Sequence, residues 1–342
     1  MAGRPTIKTI AKIAGVSHVA VSKALRDAPD ISEETKQRII QIAKDAGYTP
    51  NVAARNLNLR KTSTIGMIVP AMGENTAYNA VFNEVSAVAA AHGCSVMLGS
   101  SHRSLELEER HCRLMCENRV GALLVASVSS DLSRIKGICG DLMPIIFVGG
   151  KTDPAEPRAV LCDYRHSAKL AVDHLISLGH RDIALFTYGP DNLTIRQKED
   201  GFIAAMTGHG LVPAIYREGD AARTSEAGAA LVQRLIHDNK LPTAIWCASD
   251  LMAIGVLSAL RRNELRVPED VSVVGHDDLY FSTLPDVSLT TLHIPMDELG
   301  RHAVRLALSM MGELEEAVEE HKVFQTRLVV RSTTSAGPWA GR

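Results

Sequence analysis

The N-terminal part of the sequence carries side chains suited to contacting nucleic acid. His18, Val19 and Lys23 lie on a short helical pattern from which side chains can reach the edges of base pairs. An ammonium group donates to guanine O6 and N7, and a valine can contact a thymine methyl group. Hydroxyl groups near helix ends, together with the backbone N–H groups there, suit phosphates. The residues predicted to contact phosphates are Thr6, Ser17 and Ser22.

Three short helices are predicted to position these side chains. Thr6 can cap a first helix from Ile7 to Ala14, where apolar residues recur at spacings of three and four. Gly15 supplies a tight turn, and a second helix follows it. A third helix is predicted over 33–46 and ends at Gly47, a residue favoured after helix C-termini. This arrangement is typical of a helix-turn-helix unit.

The charge of the chain is divided unevenly between this head and the rest. The whole sequence has a formal net charge of −2. Residues 1–62 hold eleven basic and five acidic side chains, so the head carries +6 and the remainder carries −8. A basic head on an acidic body predicts that the head meets a polyanion and the body does not.

From Ile65 onward, short apolar runs alternate with helical patterns. Strands are predicted at 65–69, 95–98, 122–126, 145–148, 159–161, 183–186, 244–247 and 271–274. Helices are predicted at 78–91, 105–117, 167–178, 198–207, 225–237, 251–262 and 296–311. The alternation favours parallel sheets covered by helices on both faces, and the number of elements favours two α/β lobes.

Several classes of protein find little support in the sequence. It has no GxSxG, GxxxxGK[ST] or HExxH motif and no glycine-rich dinucleotide fingerprint, so an enzyme is not expected. Six scattered cysteines predict reduced thiols. His111-Cys112 with Cys116 lacks the second ligand pair of a zinc site, so no metal and no other cofactor is predicted.

The N-terminus and the hydropathy pattern bear on location. No apolar segment with a cleavage site begins the chain, and no run of eighteen apolar residues follows, so a cytoplasmic location without a membrane partner is expected. A transport binding protein would need a signal peptide and no DNA-binding head.

The order of motifs closely resembles one family of bacterial transcription regulators. The motifs are TIKTIAKIAGVSHVAVSKAL, ISEETKQRIIQIAKDAGYTPNVAARNL, TIGMIVP, HLISLGHRDIALF, ASDLMAIGVLSAL and VSVVGHDDLYFSTLPDVSLTTL. Together they extend from Thr6 to about Val330 and are similar to the LacI (lactose repressor) family. The resemblance implies an all-α helix-turn-helix head and a periplasmic-binding-protein-like core of two doubly wound parallel-sheet lobes.

The resemblance also implies domain limits. The head would span 1–49, a hinge helix and linker 50–62, and a core for effector binding and dimerisation 63–331. Within the core, the first lobe would comprise about 63–161 and 293–322, and the second about 162–292 and 323–331. A flexible tail is expected at 332–342, because its composition is rich in Gly, Pro and polar residues.

The segment after the head matches the hinge of the family. Two such helices would pair over the minor groove, where Leu57 would act as an apolar wedge that kinks the duplex. The remaining hinge residues expected near the bases and backbone are Asn51, Ala54 and Arg55.

The effector of this family binds between the lobes, and several positions match. Asp277 corresponds to an acid that accepts hydrogen bonds from sugar hydroxyls. Ser249 stands where many relatives have Asn, and Lys198 where most have the Arg that anchors the ligand, with Arg196 as a possible substitute.

In the first lobe, Arg103 matches a basic position, and Gly149 stands where Asp or Arg is usual. The aromatic candidates for the pocket wall are Tyr78, Trp246, Tyr280 and Phe281, for each of which packing in the core is the alternative.

These observations predict a dimeric, sequence-specific repressor that binds a pseudo-palindromic operator. A small ligand, a sugar or sugar derivative, would control it from the cleft, and a carbohydrate-utilisation operon would be its target. Arg103, Arg196 and Lys198 leave open an acidic sugar or a sugar phosphate. The alternatives are a global regulator controlled mainly by a protein partner and a ligand-binding protein without a DNA role. Because no apolar heptad pattern follows Val330, a tail-linked tetramer is not expected.

Overall fold

The computed structural model describes residues 5–25, 27–48, 62–73, 77–149, 152–153, 155–189, 193–218 and 225–337. The chain divides into two compact units, Met1–Thr62 and Ser63–Arg342. We call the first unit the head and the second the core. Among the described residues, each helix is too short or too polar to cross a membrane.

The head contains three helices around a small apolar centre. They are α1 (Ile7–Ala14), α2 (His18–Ala24) and α3 (Glu33–Asp45). Thr6, Ser17 and Ser32 cap them through hydroxyl groups that accept hydrogen bonds from backbone N–H groups. The apolar centre consists of Ile10, Ala11, Ala14, Val21, Ala24, Ile39 and Ala43.

The core contains two six-stranded sheets. The strands are β1 (Thr64–Val69), β2 (Ser95–Ser100), β3 (Ala122–Val125), β4 (Ile145–Val148), β5 (Ala159–Cys162), β6 (Ile183–Thr187), β7 (Ala214–Arg217), β8 (Ala244–Cys247), β9 (Ser272–Asp277), β10 (Thr290–His293), β11 (His321–Phe324) and β12 (Arg327–Val329). The first sheet has the order β11-β5-β4-β3-β1-β2, and the second β12-β10-β9-β8-β6-β7. Neighbouring strands are parallel except β10 and β12, which pair antiparallel.

Helices cover both faces of each sheet. They are α4 (Tyr78–Ala91), α5 (Leu105–Glu117), α6 (Ser133–Cys139), α7 (Tyr164–Ser177), α8 (Leu193–Gly208), α9 (Ser225–His237), α10 (Asp250–Arg262) and α11 (Met296–Met310). In the first lobe, α4 and α11 pack on one face of the sheet and α5 and α6 on the other. In the second lobe, α7 to α10 enclose a single large apolar cluster.

The chain passes between the lobes three times, after β5, after β10 and after β11. Two predicted limits shift by a few residues. β11 belongs wholly to the first sheet, so the last passage follows Phe324 rather than residue 322. His293 ends β10 in the second sheet rather than beginning the return to the first lobe.

The segment expected to be a flexible tail is partly fixed to the second lobe. Thr333 exchanges hydrogen bonds with the backbone of Val273, and the N–H of Ser335 donates to Ser272 Oγ. The N–H of Gly337 donates to the Leu178 carbonyl over 2.7 Å. The prediction of a loose tail is therefore wrong for residues 332–337, whose backbone groups find partners on distant strands and helices.

Helices α9 and α10 approach each other closely through glycine. A Cβ atom added at Gly255 would lie 1.7 Å from the carbonyl oxygen of Ser225, and one added at Gly228 would lie 2.2 Å from that of Met252. Glycine at both positions lets the two backbones come into direct contact.

Candidate nucleic-acid interface and ligand cleft

One face of α2 is open to solvent and carries the three predicted base-reading residues. Val21 and Ala24 point inward and are buried, whereas His18 is exposed and Val19 is 50% exposed. Lys23 is partly exposed on the same outer side. Val19 therefore does not pack in the head, where an apolar residue normally would, and its methyl groups are available to an external surface.

Hydroxyl groups cap the N-termini of both α1 and α2. The Thr6 hydroxyl oxygen accepts from the N–H of Thr9 over 3.3 Å, and the Ser17 oxygen accepts from the N–H of Ala20 over 3.1 Å. The remaining N–H groups of each first turn have no acceptor within their own helix, which suits them to anions. Ser22 is half-buried in the middle of α2.

The loop between α2 and α3 is fixed by two ion pairs. Lys23 Nζ donates to Asp30 Oδ2, and Lys36 Nζ contacts Asp27 with Glu33 Oε2 3.6 Å away. The hydrogen bond to Asp27 raises the pKa of Lys36 against the effect of its burial. Both acids of the loop are thus held by lysines of the helices on either side.

The predicted hinge contacts, Asn51, Ala54, Arg55 and Leu57, lie outside the described residues. Their roles stay predictions.

Four of the predicted effector residues lie at the carboxyl ends of parallel strands, where ligands bind in α/β sheets: Arg103, Gly149, Ser249 and Asp277. In the first lobe, Arg103 follows β2, is exposed and has a φ of 62°. Gly149 follows β4 with a φ of 83°. A Cβ atom at Gly149 would lie 3.3 Å from the hydroxyl oxygen of Tyr78. Tyr78 thus lies beside the position where a larger residue would project.

In the second lobe, Asp277 ends β9 and Ser249 follows β8. Asp277 is 8% exposed, has a φ of 120° and places Oδ1 3.4 Å from His276 Nδ1. The Ser249 oxygen caps α10 by accepting from the N–H of Met252 over 3.3 Å. Arg196 is exposed on α8.

Two of the predicted cleft residues are buried in the second lobe. Trp246 is completely buried and packs between Phe202 and His276, with ring centroids about 6.1 Å apart in each pair. It belongs to the core because β8 is the central strand on which α8 packs. Lys198 is 1% exposed, and its ammonium donates to the Ala248 carbonyl over 2.7 Å. This buried ammonium braces the end of β8, and its contact with an effector stays a prediction.

A buried acid that no sequence motif points to holds the loop after Asp277. Asp250 is fully buried on α10, and its Oδ2 accepts hydrogen bonds from the N–H of Leu279 and the hydroxyl of Ser282, over 2.8 and 2.7 Å. Its Oδ1 accepts from the hydroxyl of Thr291 over 2.5 Å. Burial and the charge of Asp277 raise the pKa of Asp250 to about 6, although these hydrogen bonds oppose the rise.

Asp278 completes this loop from the other side. Arg331 donates to its Oδ1 over 2.6 Å, and His293 Nδ1 lies 2.9 Å from its Oδ2. Burial opposes ionisation, but these two partners keep the pKa of Asp278 below its usual range. Asp278 is therefore engaged within the protein, and the contact of its neighbour Asp277 with an effector stays a prediction.

Replacing Asp250 with Asn is expected to weaken the dependence of stability on pH. The pKa of Asp250 lies above its ordinary value of 3.8, so its contribution to stability is complete below about pH 4 and is lost as the pH rises through about 6. In Asp250→Asn the amide can accept from Leu279 and Ser282 and donate to the Thr291 hydroxyl. The variant should therefore gain a few kcal/mol relative to the wild type between pH 4 and pH 7, since one pKa unit is worth about 1.4 kcal/mol.

Urea unfolding of both proteins at pH 4.5 and pH 7 measures this gain. Asp286→Asn, which changes an exposed carboxylate of the same loop region, is the control. A free-energy difference between Asp250→Asn and wild type that is the same at both pH values would contradict the assignment.

Cysteine and metal chemistry are limited in the described part of the chain. All six cysteines are free thiols, and only Cys116 is partly exposed. Burial raises the pKa of Cys162 to about 12. Within these residues, no group of three or more His, Cys, Asp or Glu side chains is arranged to hold a metal ion.

Comparison with protein families gives two matches. A model described as "Bacterial regulatory proteins, lacI family" matches residues 6–51, and a "Periplasmic binding protein-like domain" matches residues 172–334.

Among curated proteins, the HTH-type transcriptional repressor PurR of Aliivibrio fischeri is 31% identical over 336 residues, which cover 96% of this chain and 98% of the relative. The probable HTH-type transcriptional repressor ExuR of Bacillus subtilis is 29% identical, with 96% and 99% covered.

Solved structures give the same picture. A lac repressor dimer bound to operator and the anti-inducer ONPF superimposes with a TM-score of 0.87 at 26% identity, covering 97% of this chain and 99% of that one. A complex of the transcriptional regulator CelR with cellobiose has a TM-score of 0.69 at 26% identity, with 96% and 100% covered.

Proposed function

The chain belongs to the LacI family of bacterial regulatory proteins, and on that premise we propose that it is a homodimeric repressor whose operator affinity is set by a sugar bound between its lobes. It is a DNA-binding transcriptional regulator rather than an enzyme. The exposed face of α2, with Val19 half open to solvent beside His18 and Lys23, is the observation that carries the proposed base reading.

The proposed function requires a dimer for two reasons. Two heads are needed to read two half-sites of a pseudo-palindromic operator. Two hinge segments would then meet at its centre, with Leu57 as the wedge. The lac repressor in the operator-bound structure described above is itself a dimer.

A polyhydroxylated ligand suits the cleft. Asp277, whose Oδ1 lies 3.4 Å from His276 Nδ1, ends β9 and can accept hydrogen bonds from sugar hydroxyls. Arg103 and Arg196 are exposed cations that can add donors at the rim. Lys198 keeps its charge when it donates to the neutral Ala248 carbonyl, but the carboxylate of Asp277 at the end of β9 opposes an anionic ligand. A neutral sugar is therefore favoured over a strongly acidic one.

Selection of DNA from a random duplex library tests operator recognition. Full-length protein should enrich a two-fold symmetric site, and the enriched duplex then serves as the operator. Enrichment of asymmetric sites, or none, would count against a dimer reading two half-sites.

A thermal-shift screen of neutral sugars, sugar acids and sugar phosphates tests the effector class. A ligand that binds only the native protein raises its free energy of unfolding, by about 2.7 kcal/mol at a concentration of 100 times Kd, and its Tm rises with it. We expect a neutral sugar to give the largest shift and Asp277→Asn to abolish it, while Asp286→Asn retains it. A larger shift with sugar acids or phosphates would assign the acidic class, and no shift with any of the three would favour control by a protein partner.

A further inference from the structure

Asp30 forms an ion pair with Lys23, the residue predicted to contact guanine, and this pairing can affect how Lys23 binds DNA. Asp30 lies in the loop between α2 and α3 and forms an ion pair with Lys23, with the two side chains 52% and 39% exposed. The other acid of the loop, Asp27, is held by Lys36, whose side chain is only 10% exposed. Asp30 is therefore the loop acid paired on the DNA-reading helix.

The pairing compensates for a property of lysine. An arginine presents a planar fork that fixes two donors toward guanine, whereas an ammonium is a point charge with three freely rotating donors. When one donor of Lys23 is directed to Asp30, the remaining two are left with a restricted direction. The Asp30 carboxylate thus fixes the direction of the Lys23 donors, which in an arginine is fixed by the planar guanidinium itself.

The same carboxylate also changes the charge that Lys23 offers to DNA. Non-specific binding is supplied almost entirely by cations that neutralise phosphates. An ammonium held by a carboxylate contributes little net charge, so it gains little from a backbone without the matching base.

We propose that Asp30 is a specificity-determining residue that orients Lys23 toward its base pair and lowers the affinity for DNA without the operator sequence. The inference rests on the proposed base reading by Lys23. It predicts that removing the charge of Asp30 strengthens binding to random DNA more than binding to the operator.

Asp30→Asn in the full-length protein tests this prediction, because the amide has the same size as the carboxylate and Asp30 is exposed. Affinities for the selected operator and for a random duplex of equal length are measured between 50 and 200 mM KCl. For random DNA, the slope of log K against log salt should steepen by about 0.9, the value of one additional phosphate contact. The ratio of operator to random affinity should fall about tenfold, which is the lower end of the cost of one mismatched base pair.

Asp45→Asn is the matched control, since it removes an acid at the far end of α3 whose partner is Gln41 of the same helix. It should leave the affinity ratio unchanged. An Asp30→Asn ratio equal to or higher than that of the wild type would overturn the proposal.

Lys23→Ala separates this inference from the base reading on which it rests. If Lys23→Ala leaves the affinity ratio unchanged, Lys23 does not read a base, and the proposed reading fails. If Lys23→Ala lowers the ratio and Asp30→Asn does not, the role of Asp30 alone fails. In the Lys23→Ala background, Asp30→Asn should no longer change the ratio, and a persisting tenfold fall would show an effect of Asp30 that does not pass through Lys23.

Discussion

Deleting residues 1–62 is expected to abolish operator binding while the remaining protein stays folded. The deletion removes His18, Val19 and Lys23 together with the +6 charge of the head, and it leaves a core with a net charge of −8. Specific binding exceeds non-specific binding by about a thousandfold or more, and non-specific binding itself needs an excess of basic over acidic side chains, which a core with a net charge of −8 does not have. The loss should therefore exceed a thousandfold at physiological salt.

Fluorescence anisotropy with the labelled operator measures the loss, and Tm with and without the effector serves as the control for the core. The core has its own apolar clusters on both sheets, so its Tm and its effector-induced shift should be retained. Operator binding by residues 63–342 within tenfold of the full chain would refute the assignment of DNA recognition to the head.

Replacing Gly255 with Ala is expected to destabilise the second lobe severely. The added Cβ would lie 1.7 Å from the Ser225 carbonyl oxygen, and that atom belongs to the backbone at the start of α9, so no side-chain rotation can relieve the overlap. Because α9 and α10 must separate, the cost should reach about 3 kcal/mol, the upper part of the usual range for overpacked cores. The Tm should fall by roughly 6 °C or more for a unit of this size.

Gly208→Ala provides the comparison in the same lobe. An added Cβ there meets no atom within 4 Å, at the last residue of α8. Alanine should be neutral or slightly stabilising, because it restricts the unfolded chain. Equal melting temperatures for Gly255→Ala and Gly208→Ala would show that α9 and α10 adjust without cost.

The sequence predicts the long helices well because their signals are local. The predicted limits of α4, α5 and α9 agree with the structure residue for residue. Ser104 caps α5 by accepting from the N–H of Leu107, and buried residues recur along each helix at spacings of three and four. These features depend on neighbours within one or two turns, and the sequence contains them in full.

The strands that escaped prediction depend on distant partners. They are β7, β10, β11 and β12. Of these, β7, β11 and β12 are edge strands, and β11 reads His-Lys-Val-Phe with no alternation of polar and apolar residues. β11 forms a strand because it pairs with β5, some 160 residues earlier. The fixed segment 332–337 likewise takes its conformation from Val273, Ser272 and Leu178.

In the predicted cleft, too, the sequence predicts features that depend on near neighbours and not those that depend on distant partners. The sequence places Asp277, Ser249, Arg103 and Gly149 after strands, and parallel topology then brings strand ends to one edge. Sequence alone could not show that Lys198 turns to the Ala248 carbonyl, because that contact joins residues 50 positions apart. Asp250 escaped notice for a similar reason, since its partners Ser282 and Thr291 come from two later segments.

The last passage of the chain has a consequence for synthesis. The last described helix of the head, α3, ends at Asp45, whereas each core sheet gains a strand only after residue 320, β11 in the first and β12 in the second. Domains fold from the N-terminus as the chain emerges from the ribosome. The head therefore folds on the nascent chain well before either lobe is whole. A message that stops before residue 320 would encode the three helices of the head but leave each of the two sheets without one of its edge strands.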